Sequence, residues 1–195
     1  MFIKDKSSKN IRNYIRHLRN NITKKQRIFF SKEISNHIFS YGIVKSNFNV
    51  GIFLSFDGEI DTFNLIKNLL SNSNNVYVPK ISSFKEKKII FVRYYSNAKL
   101  LINKFNIKEP FYERNASIDI FQLKIIFVPL VAFNKKGNRL GFGQGFYDRL
   151  LYNYNLYNII PIGLAYDFQL VDNFPVYDWD IRLPYVLTPS KLWIF

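Results

Sequence analysis

The sequence predicts an α/β fold with a mostly parallel sheet, helices on both faces, and a Rossmann-like three-layer architecture that begins with two N-terminal helices. Three observations support this prediction: an amphipathic segment at the start of the chain, short apolar runs that alternate with helical segments, and a glycine-rich loop between one such run and a helix. In folds of this kind, ligands bind outside the carboxyl ends of the strands. The glycine-rich loop is therefore the first candidate for a binding site.

The N-terminal part of the sequence has the periodicity of an α-helix. Four apolar residues recur at helical spacing and predict an amphipathic helix over about residues 9–20: Ile11, Ile15, Leu18 and Ile22. The arginines of this segment are expected on its other faces: Arg12, Arg16 and Arg19. Thr23 and Gln26 form a capping-box signature for a second helix, which is expected to end near Gly42.

Short apolar runs follow and predict strands. They lie at residues 50–54, 76–78, 89–92, 125–128, 159–165 and 185–187. Asp61 or Thr62 is expected to cap a helix over residues 63–70, and another helix is expected at residues 146–152. Because no repeat or linker divides the chain, we predict a single domain over residues 1–195.

Composition limits the possible functions. The chain has no cysteine, which excludes a disulfide framework, a thiolate metal site and a cysteine nucleophile. The net charge of +14 favours anionic partners, but the basic residues spread along the whole chain, which favours small anions over a single nucleic-acid stripe. The N-terminus lacks the apolar core of a signal peptide, and no apolar run has the length that a bilayer requires. We therefore expect a cytoplasmic protein without membrane partners.

The most informative segment is Asn138–Arg149, in which three alternating glycines lie between Arg139 and Asp148. Glycine allows a positive φ and can expose successive N–H groups to an anion. An arginine offers a planar fork for phosphate oxygens, and a carboxylate is a hard ligand for Mg²⁺. The spacing matches neither the dinucleotide fingerprint nor the P-loop, so by itself it is also compatible with a flexible turn.

In its wider context, the segment over residues 128–149 resembles the signature of the 5-formyltetrahydrofolate cyclo-ligase family, also called methenyltetrahydrofolate synthetases. Other segments fall in the order of that family, at residues 9–12, 54–62, 108–110, 163–169 and 175–180. The resemblance thus covers nearly the whole chain. It implies that ATP phosphorylates the formyl oxygen of 5-formyltetrahydrofolate, that N10 attacks the activated carbon, and that 5,10-methenyltetrahydrofolate, ADP and phosphate are released.

The resemblance also implies residue roles. Arg139 and Tyr147 are expected to be catalytic, while Asp148 and Asp180 are expected to bind Mg²⁺. The residues expected to bind ATP are these: Lys9, Arg12, Arg139, Gly141, Phe142, Gly143, Gln144, Gly145, Phe146 and Tyr147. Those expected to contact the folate substrate are fewer: Arg12, Leu54, Glu59, Phe142 and Phe146.

This chain departs from the family pattern at three positions. The first basic residue of the family corresponds to Ser8 here, so that Lys9 stands one position later. Gln144 replaces a residue that is Lys or Gly in many members, and Pro184 replaces an aspartate. The first two changes affect the expected ATP site, and the third leaves the metal role in that segment to Asp180.

Simpler interpretations of several residues remain open. Lys9 and Arg12 are also compatible with solvated helix charges, and Glu59 with a charge near a helix N-terminus. Phe146 and Tyr147 are also compatible with core packing in a chain with 20 Phe and 13 Tyr.

Two other functions also remain open. A nucleic-acid-binding protein could use basic and aromatic side chains, and a sugar-phosphate-binding enzyme could share the sheet architecture. We expect a monomer that binds ATP and 5-formyltetrahydrofolate and has no nucleic-acid partner.

Overall fold

The structure is a computed structural model that describes residues 7–103, 107–111 and 117–195. Within these residues there are four α-helices: α1 (Ser8–Asn20), α2 (Lys24–Ser40), α3 (Phe63–Ser71) and α4 (Phe146–Leu151). The same residues contain twelve β-strands: β1 (Asn49–Gly51), β2 (Asn75–Ser83), β3 (Lys88–Arg93), β4 (Leu100–Ile102), β5 (Lys108–Pro110), β6 (Ser117–Ile118), β7 (Ile125–Pro129), β8 (Ala132–Phe133), β9 (Arg139–Leu140), β10 (Ile160–Leu164), β11 (Tyr185–Leu187) and β12 (Leu192–Ile194). No helix in the described ranges is both long enough and apolar enough to cross a membrane.

A mixed sheet forms the centre of the molecule, with the strand order β12-β11-β10-β7-β1-β2-β3-β6. The strands from β11 to β2 in this order run parallel. β12, β3 and β6 pair in antiparallel fashion towards the two edges. The prediction of a mostly parallel sheet is confirmed. β4 pairs with β5, and β8 pairs with β9, outside this sheet.

Both faces of the sheet are covered, as β7 shows. Ile125 and Phe127 pack in the cluster that contains the apolar residues of α2 and α3. Ile126 and Val128 pack in a second cluster, which contains Leu151 of α4. Because successive side chains of a strand point to opposite faces, this division places helices on both sides of the sheet. The predicted three-layer architecture is confirmed.

The helix caps follow the predicted chemistry in part. Thr23 accepts from the backbone N–H of Gln26, whose side chain in turn accepts from the backbone N–H of Thr23, so the predicted capping box is present. At the start of α3, the two predicted caps, Asp61 and Thr62, make different hydrogen bonds. Asp61 accepts from the first amide of the helix, whereas the Thr62 hydroxyl donates to the carbonyl of Phe53 and ties the helix start to the end of β1.

The strand predictions were accurate in the buried sheet and incomplete at its edges. The expected strand at residues 50–54 is only β1, because the chain leaves the sheet after Gly51. Six of the described strands have two or three residues each and were not predicted, since such short segments show no usable periodicity: β4, β5, β6, β8, β9 and β12. The single domain over residues 1–195 remains a prediction.

The helix α1 packs against the β8–β9 hairpin. Ile11 and Ile15 are buried together with Ala132 and Leu140, which belong to that hairpin. The prediction that Arg19 lies on another face of α1 was wrong, since its side chain is 2 % exposed. Residues 11, 15 and 19 are four apart and therefore share one face of the helix. α1 thus carries a buried cation next to the hairpin.

Close packing across β10 gives a test of the fold. A Cβ atom on Gly163 would lie 2.6 Å from Leu130 and 2.9 Å from both Leu183 and Val186. We expect Gly163→Ala to lower the free energy of unfolding in urea by about 1–3 kcal/mol, because the packed core cannot accommodate another methyl group. Gly141→Ala is the matched control: in the described structure no atom lies within 4 Å of its added Cβ. Equal stability of the two variants would contradict this packing.

Candidate active site

A cleft of about 1320 Å³ opens beyond the carboxyl ends of β1 and β7 and beside β2. Leu54, which follows β1, and Pro129, at the end of β7, line it together with Pro79 of β2. The glycine loop between β9 and α4 forms another wall. This is the position that the α/β prediction gave for a ligand site.

The glycine loop uses conformations that suit glycine. Gly143 has φ +96° and Gly145 has φ +71°, both in the left-handed region that other residues rarely adopt. Gly145 directly precedes α4, which has six residues. With such a short helix, the binding of anions at this loop would depend on backbone amides and nearby cations more than on a helix dipole.

Arg12 of α1 lies across the loop. Its Nε donates to the carbonyl of Gly141 at 2.8 Å. Its Nη2 lies 3.2 Å from the position that a Cβ atom on Gly143 would occupy, so the guanidinium would have to shift by a few tenths of an ångström to admit a side chain there. Burial lowers the pKa of Arg12, while the nearby Tyr177 raises it. The packing of α1 on the hairpin therefore brings a cation from the N-terminus onto the loop.

Arg139 and Asp148 form an ion pair at the base of the loop, with Nη2 and Oδ1 at 2.6 Å. Arg139 also donates to the backbone carbonyl of Ile181. The backbone N–H of Ile181 in turn donates to Asp148 Oδ1 at 3.3 Å. Burial lowers the pKa of Arg139, while Asp148 raises it. The pair closes the loop on itself and attaches it to the segment that carries Asp180.

The segment before Ile181 forms the rim of the cleft. Asp180 Oδ2 accepts from the backbone N–H of Tyr177 at 2.8 Å. The rings of Tyr177 and Trp179 stack with centroids 4.9 Å apart and planes 4° apart, and both residues line the cleft. Trp179 is 67 % exposed. The sequence analysis selected neither Tyr177 nor Trp179 as a site residue.

The acidic residues near Arg139 bear on the predicted metal site. Across the described ranges, no three His, Cys, Asp or Glu side chains converge to hold a metal ion. Asp148 and Asp180 both line the cleft, and both raise the pKa of Arg139. The bonds that they accept from other described residues use Oδ1 of Asp148 and Oδ2 of Asp180, so within this part of the chain each keeps one carboxylate oxygen for another ligand.

Two buried polar groups lie deeper in the cleft. Glu59 is 6 % exposed and accepts from the backbone N–H of Phe56 through Oε2. Burial raises the pKa of Glu59 to about 7, and the positive charge of Arg19 opposes this shift. The Tyr147 hydroxyl is buried and has no hydrogen-bond partner within the described part of the chain. Burial and the charge of Glu59 raise the pKa of Tyr147, so this phenol stays protonated.

Arg19 does not line the cleft, but its charge acts on Glu59, and the sequence analysis missed this buried residue. Its Nη2 donates to the carbonyl of Leu130 at 2.6 Å, and its guanidinium carbon lies 5.9 Å from the ring centroid of Phe142. Burial lowers the pKa of Arg19, and Glu59 and Asp57 raise it. An arginine four residues after Ile15, in the apolar stripe of an amphipathic helix, was the signal that could have identified it.

The cleft contains nearly all residues that the resemblance selected: Arg12, Leu54, Glu59, Arg139, Gly141, Phe142, Gly143, Gln144, Gly145, Phe146, Tyr147, Asp148 and Asp180. Lys9 lies elsewhere, on a smaller adjacent cavity of about 230 Å³ that also contacts Arg12 and Phe142. At the start of α1, Ser8 lines the main cleft instead. The structure therefore places Lys9 on this neighbouring cavity and not on the main cleft, and its role in ATP binding stays a prediction.

A family model of the 5-formyltetrahydrofolate cyclo-ligase family matches residues 4–189. The chain belongs to this family. It is 39% identical over 179 residues to the 5-formyltetrahydrofolate cyclo-ligase of Escherichia coli (strain K12), covering 92% of this chain and 98% of that protein. It is 40% identical over 173 residues to the enzyme of the same name from Haemophilus influenzae, covering 89% and 92%.

A solved structure supports the same relationship. The NMR structure of Aquifex aeolicus 5,10-methenyltetrahydrofolate synthetase superposes with a TM-score of 0.80 at 28% identity, covering 96% of this chain and 92% of that one. The resemblance seen in the sequence motifs is thus confirmed at the level of family and fold.

The buried carboxyl of Glu59 predicts a pH dependence of stability. The unfolded chain releases this proton near pH 4.5, whereas the folded chain keeps it up to about pH 7. Because the folded state binds more protons in this window, stability falls as the pH rises through it. We expect the wild type to lose up to about 3 kcal/mol of unfolding free energy relative to Glu59→Gln between these pH values.

Urea unfolding at several pH values measures this difference. Glu86→Gln, which removes an exposed carboxylate, is the control. If the wild type and Glu59→Gln showed parallel stability profiles, Glu59 would not hold its proton in the folded state.

Proposed function

We propose that the protein is an ATP-dependent 5-formyltetrahydrofolate cyclo-ligase. It would convert 5-formyltetrahydrofolate to 5,10-methenyltetrahydrofolate and release ADP and phosphate. Membership of the family supports this activity. The structural observation that carries the proposal is that one cleft joins a glycine loop with cations to a deeper region with a buried carboxyl and apolar walls. These are the two surfaces that a triphosphate and a reduced folate require.

The phosphate half of the proposed site is the glycine loop. Arg12 lies on this loop through its bond to Gly141, and Arg139 holds the start of the loop in place. Backbone N–H groups of a loop with left-handed residues can donate to phosphate oxygens. The neighbouring guanidinium groups add charge-assisted bonds to the same oxygens.

The folate half lies around Glu59. Leu54 and Phe146 are half-buried on the cleft wall and offer apolar contact for a flat ring. The carboxylate of Glu59 accepts hydrogen bonds from the donor-rich edge of a pterin, which favours its ionised form. Arg19, whose charge already lowers the pKa of Glu59, supports the same form.

The chemistry requires positioning and charge stabilisation. The terminal phosphoryl group of ATP is transferred to the formyl oxygen, N10 attacks the formyl carbon, and the C–O bond to the phosphate then breaks. The protonated Tyr147 hydroxyl lacks a partner and is suited to donate a hydrogen bond to a substrate oxygen. Arg139 stabilises negative charge on the transferring group. No nucleophilic side chain is needed, which agrees with a chain without cysteine.

We also propose Mg²⁺ as the metal ion of the reaction. Mg²⁺ is commonly bound by one or two carboxylates together with substrate phosphates, so Asp148 and Asp180 form a suitable donor set beside the glycine loop. When bound, the ion neutralises phosphate charge. The free oxygens of the two carboxylates support this assignment.

The other functions that the sequence left open are not favoured. The family match gives no support to a nucleic-acid-binding protein or to a sugar-phosphate-binding enzyme. The monomeric state and the cytoplasmic location remain predictions from the sequence.

Turnover is the direct test of the activity. We expect the purified protein to form methenyltetrahydrofolate, which absorbs in the near ultraviolet, when it is mixed with MgATP and 5-formyltetrahydrofolate. Chelation of the metal with EDTA should stop the reaction, and an excess of Mg²⁺ should restore it, because the ion neutralises charge on the phosphates during transfer. A folded protein that yields no product under these conditions would exclude the cyclo-ligase assignment.

A substitution of Arg139 tests its proposed role in catalysis. Its replacement by alanine removes positive charge at the transferring phosphoryl group, so we expect Arg139→Ala to lower kcat/KM by about 10²–10³-fold. Lys135→Ala, at an exposed position of the same hairpin, is the control and should leave kcat/KM unchanged. Circular dichroism must show that both variants are folded. Near-normal turnover of Arg139→Ala would remove this residue from the chemistry.

A further inference from the structure

The turn between β2 and β3 reaches the glycine loop from a distant part of the sequence, and it carries Lys87. We propose that Lys87 binds the phosphates of ATP and supplies positive charge that the glycine loop itself lacks. This inference rests on the proposed ATP-dependent function. It assigns a binding role to a residue more than fifty positions away from the loop in the sequence.

The first observation is position. Lys87 lines the same cleft as the glycine loop. Its Nζ lies 3.7 Å from the position of a Cβ atom on Gly145, and its Cδ lies 3.9 Å from that position. A lysine ammonium at this distance can reach a phosphate group that lies on the loop amides, since the side chain already extends along the loop.

The second observation is that several contacts hold the turn in this place. The ring of Phe84 meets the ring of Phe146 edge to face, with centroids 6.4 Å apart. Arg149 of α4 donates to the carbonyl of Glu86 at 3.2 Å. Both partners of the turn follow Gly145 in sequence and belong to α4, so the turn is attached to the helix that begins directly after the glycine loop. Contacts of this kind restrict where Lys87 can lie.

The backbone of Lys87 gives a third observation. Its φ of +51° is in the left-handed region, which non-glycine residues rarely adopt. The N–H of Lys87 donates to the carbonyl of Phe84 at 3.3 Å, which closes the turn. Non-glycine residues in such conformations cluster at ligand sites, where the surrounding structure holds them.

The charges around the glycine loop favour a phosphate-binding role for Lys87. Between Arg139 and Arg149 the sequence contains no cationic side chain. Arg139 is paired with Asp148, and Arg12 uses its Nε on the carbonyl of Gly141. A nucleoside triphosphate brings several negative charges to this place. Among the described residues, no carboxylate lies within ion-pair distance of Lys87, so its charge stays available.

A matched pair of lysines tests the proposal. Lys85 lies on the same turn and is also exposed, but it does not line the cleft. We expect Lys87→Met to raise the KM for ATP about 10- to 100-fold, the effect of losing one charge-assisted hydrogen bond, and to leave the KM for the folate unchanged. Lys85→Met should leave both constants unchanged. Isothermal titration with inorganic tripolyphosphate should show the same loss of affinity in Lys87→Met only.

A rescue variant separates charge at the loop from other effects. Gln144 precedes Gly145, so Gln144→Lys returns an ammonium group to the loop by another route. We expect the double variant Lys87→Met/Gln144→Lys to regain most of the affinity for ATP and tripolyphosphate. Equal losses in Lys85→Met and Lys87→Met, or a change confined to the folate KM, would overturn the proposal.

The binding assay also separates this inference from the proposed activity. If the wild type binds tripolyphosphate through Lys87 but produces no methenyltetrahydrofolate, the phosphate site stands and the cyclo-ligase assignment fails. If turnover occurs and Lys87→Met binds tripolyphosphate like the wild type, the role of Lys87 fails and the activity stands.

Discussion

The ion pair between Arg139 and Asp148 is the interaction on which the candidate site depends. The two residues begin and end the glycine loop, and together they hold the backbone of Ile181 through its N–H and its carbonyl. One short contact thus sets the width of the loop and the position of the rim that carries Asp180. Because Arg139 is almost fully buried, removal of either partner would leave an uncompensated charge in the protein.

The rest of the site is assembled around this closed loop by elements that are distant in the sequence. α1 packs its apolar stripe on the β8–β9 hairpin and thereby lays Arg12 over Gly141. The β2–β3 turn packs Phe84 on Phe146 and brings Lys87 to the other end of the loop. Cations from two other segments therefore flank a loop that carries no cationic side chain between Arg139 and Arg149. An arrangement of this kind concentrates positive charge for a triphosphate without like charges in neighbouring positions of the loop.

Buried polar groups lie in and beside the deeper part of the cleft. Glu59 is buried with a raised pKa, and the Tyr147 hydroxyl and the Nε of Arg19 have no partner within the described structure. Buried polar groups without partners cost free energy, and such groups concentrate at functional sites. A bound folate would supply the missing hydrogen bonds, so that the cost in the free protein would favour binding.

Local patterns in the sequence determined the first two helices, the Thr23 capping box, the buried parallel strands and the glycine motif, because helical periodicity, side-chain caps and glycine conformations act over a few residues. They also identified Arg12, Glu59 and Asp148 through the family motifs, and the structure places these residues on one cleft. Tertiary contacts alone decided that Lys9 lies outside the cleft and that Lys87 approaches Gly145. Each of these outcomes depends on how one element packs against another that is far away in the sequence. The pattern of residues within a single element carries no information about such packing.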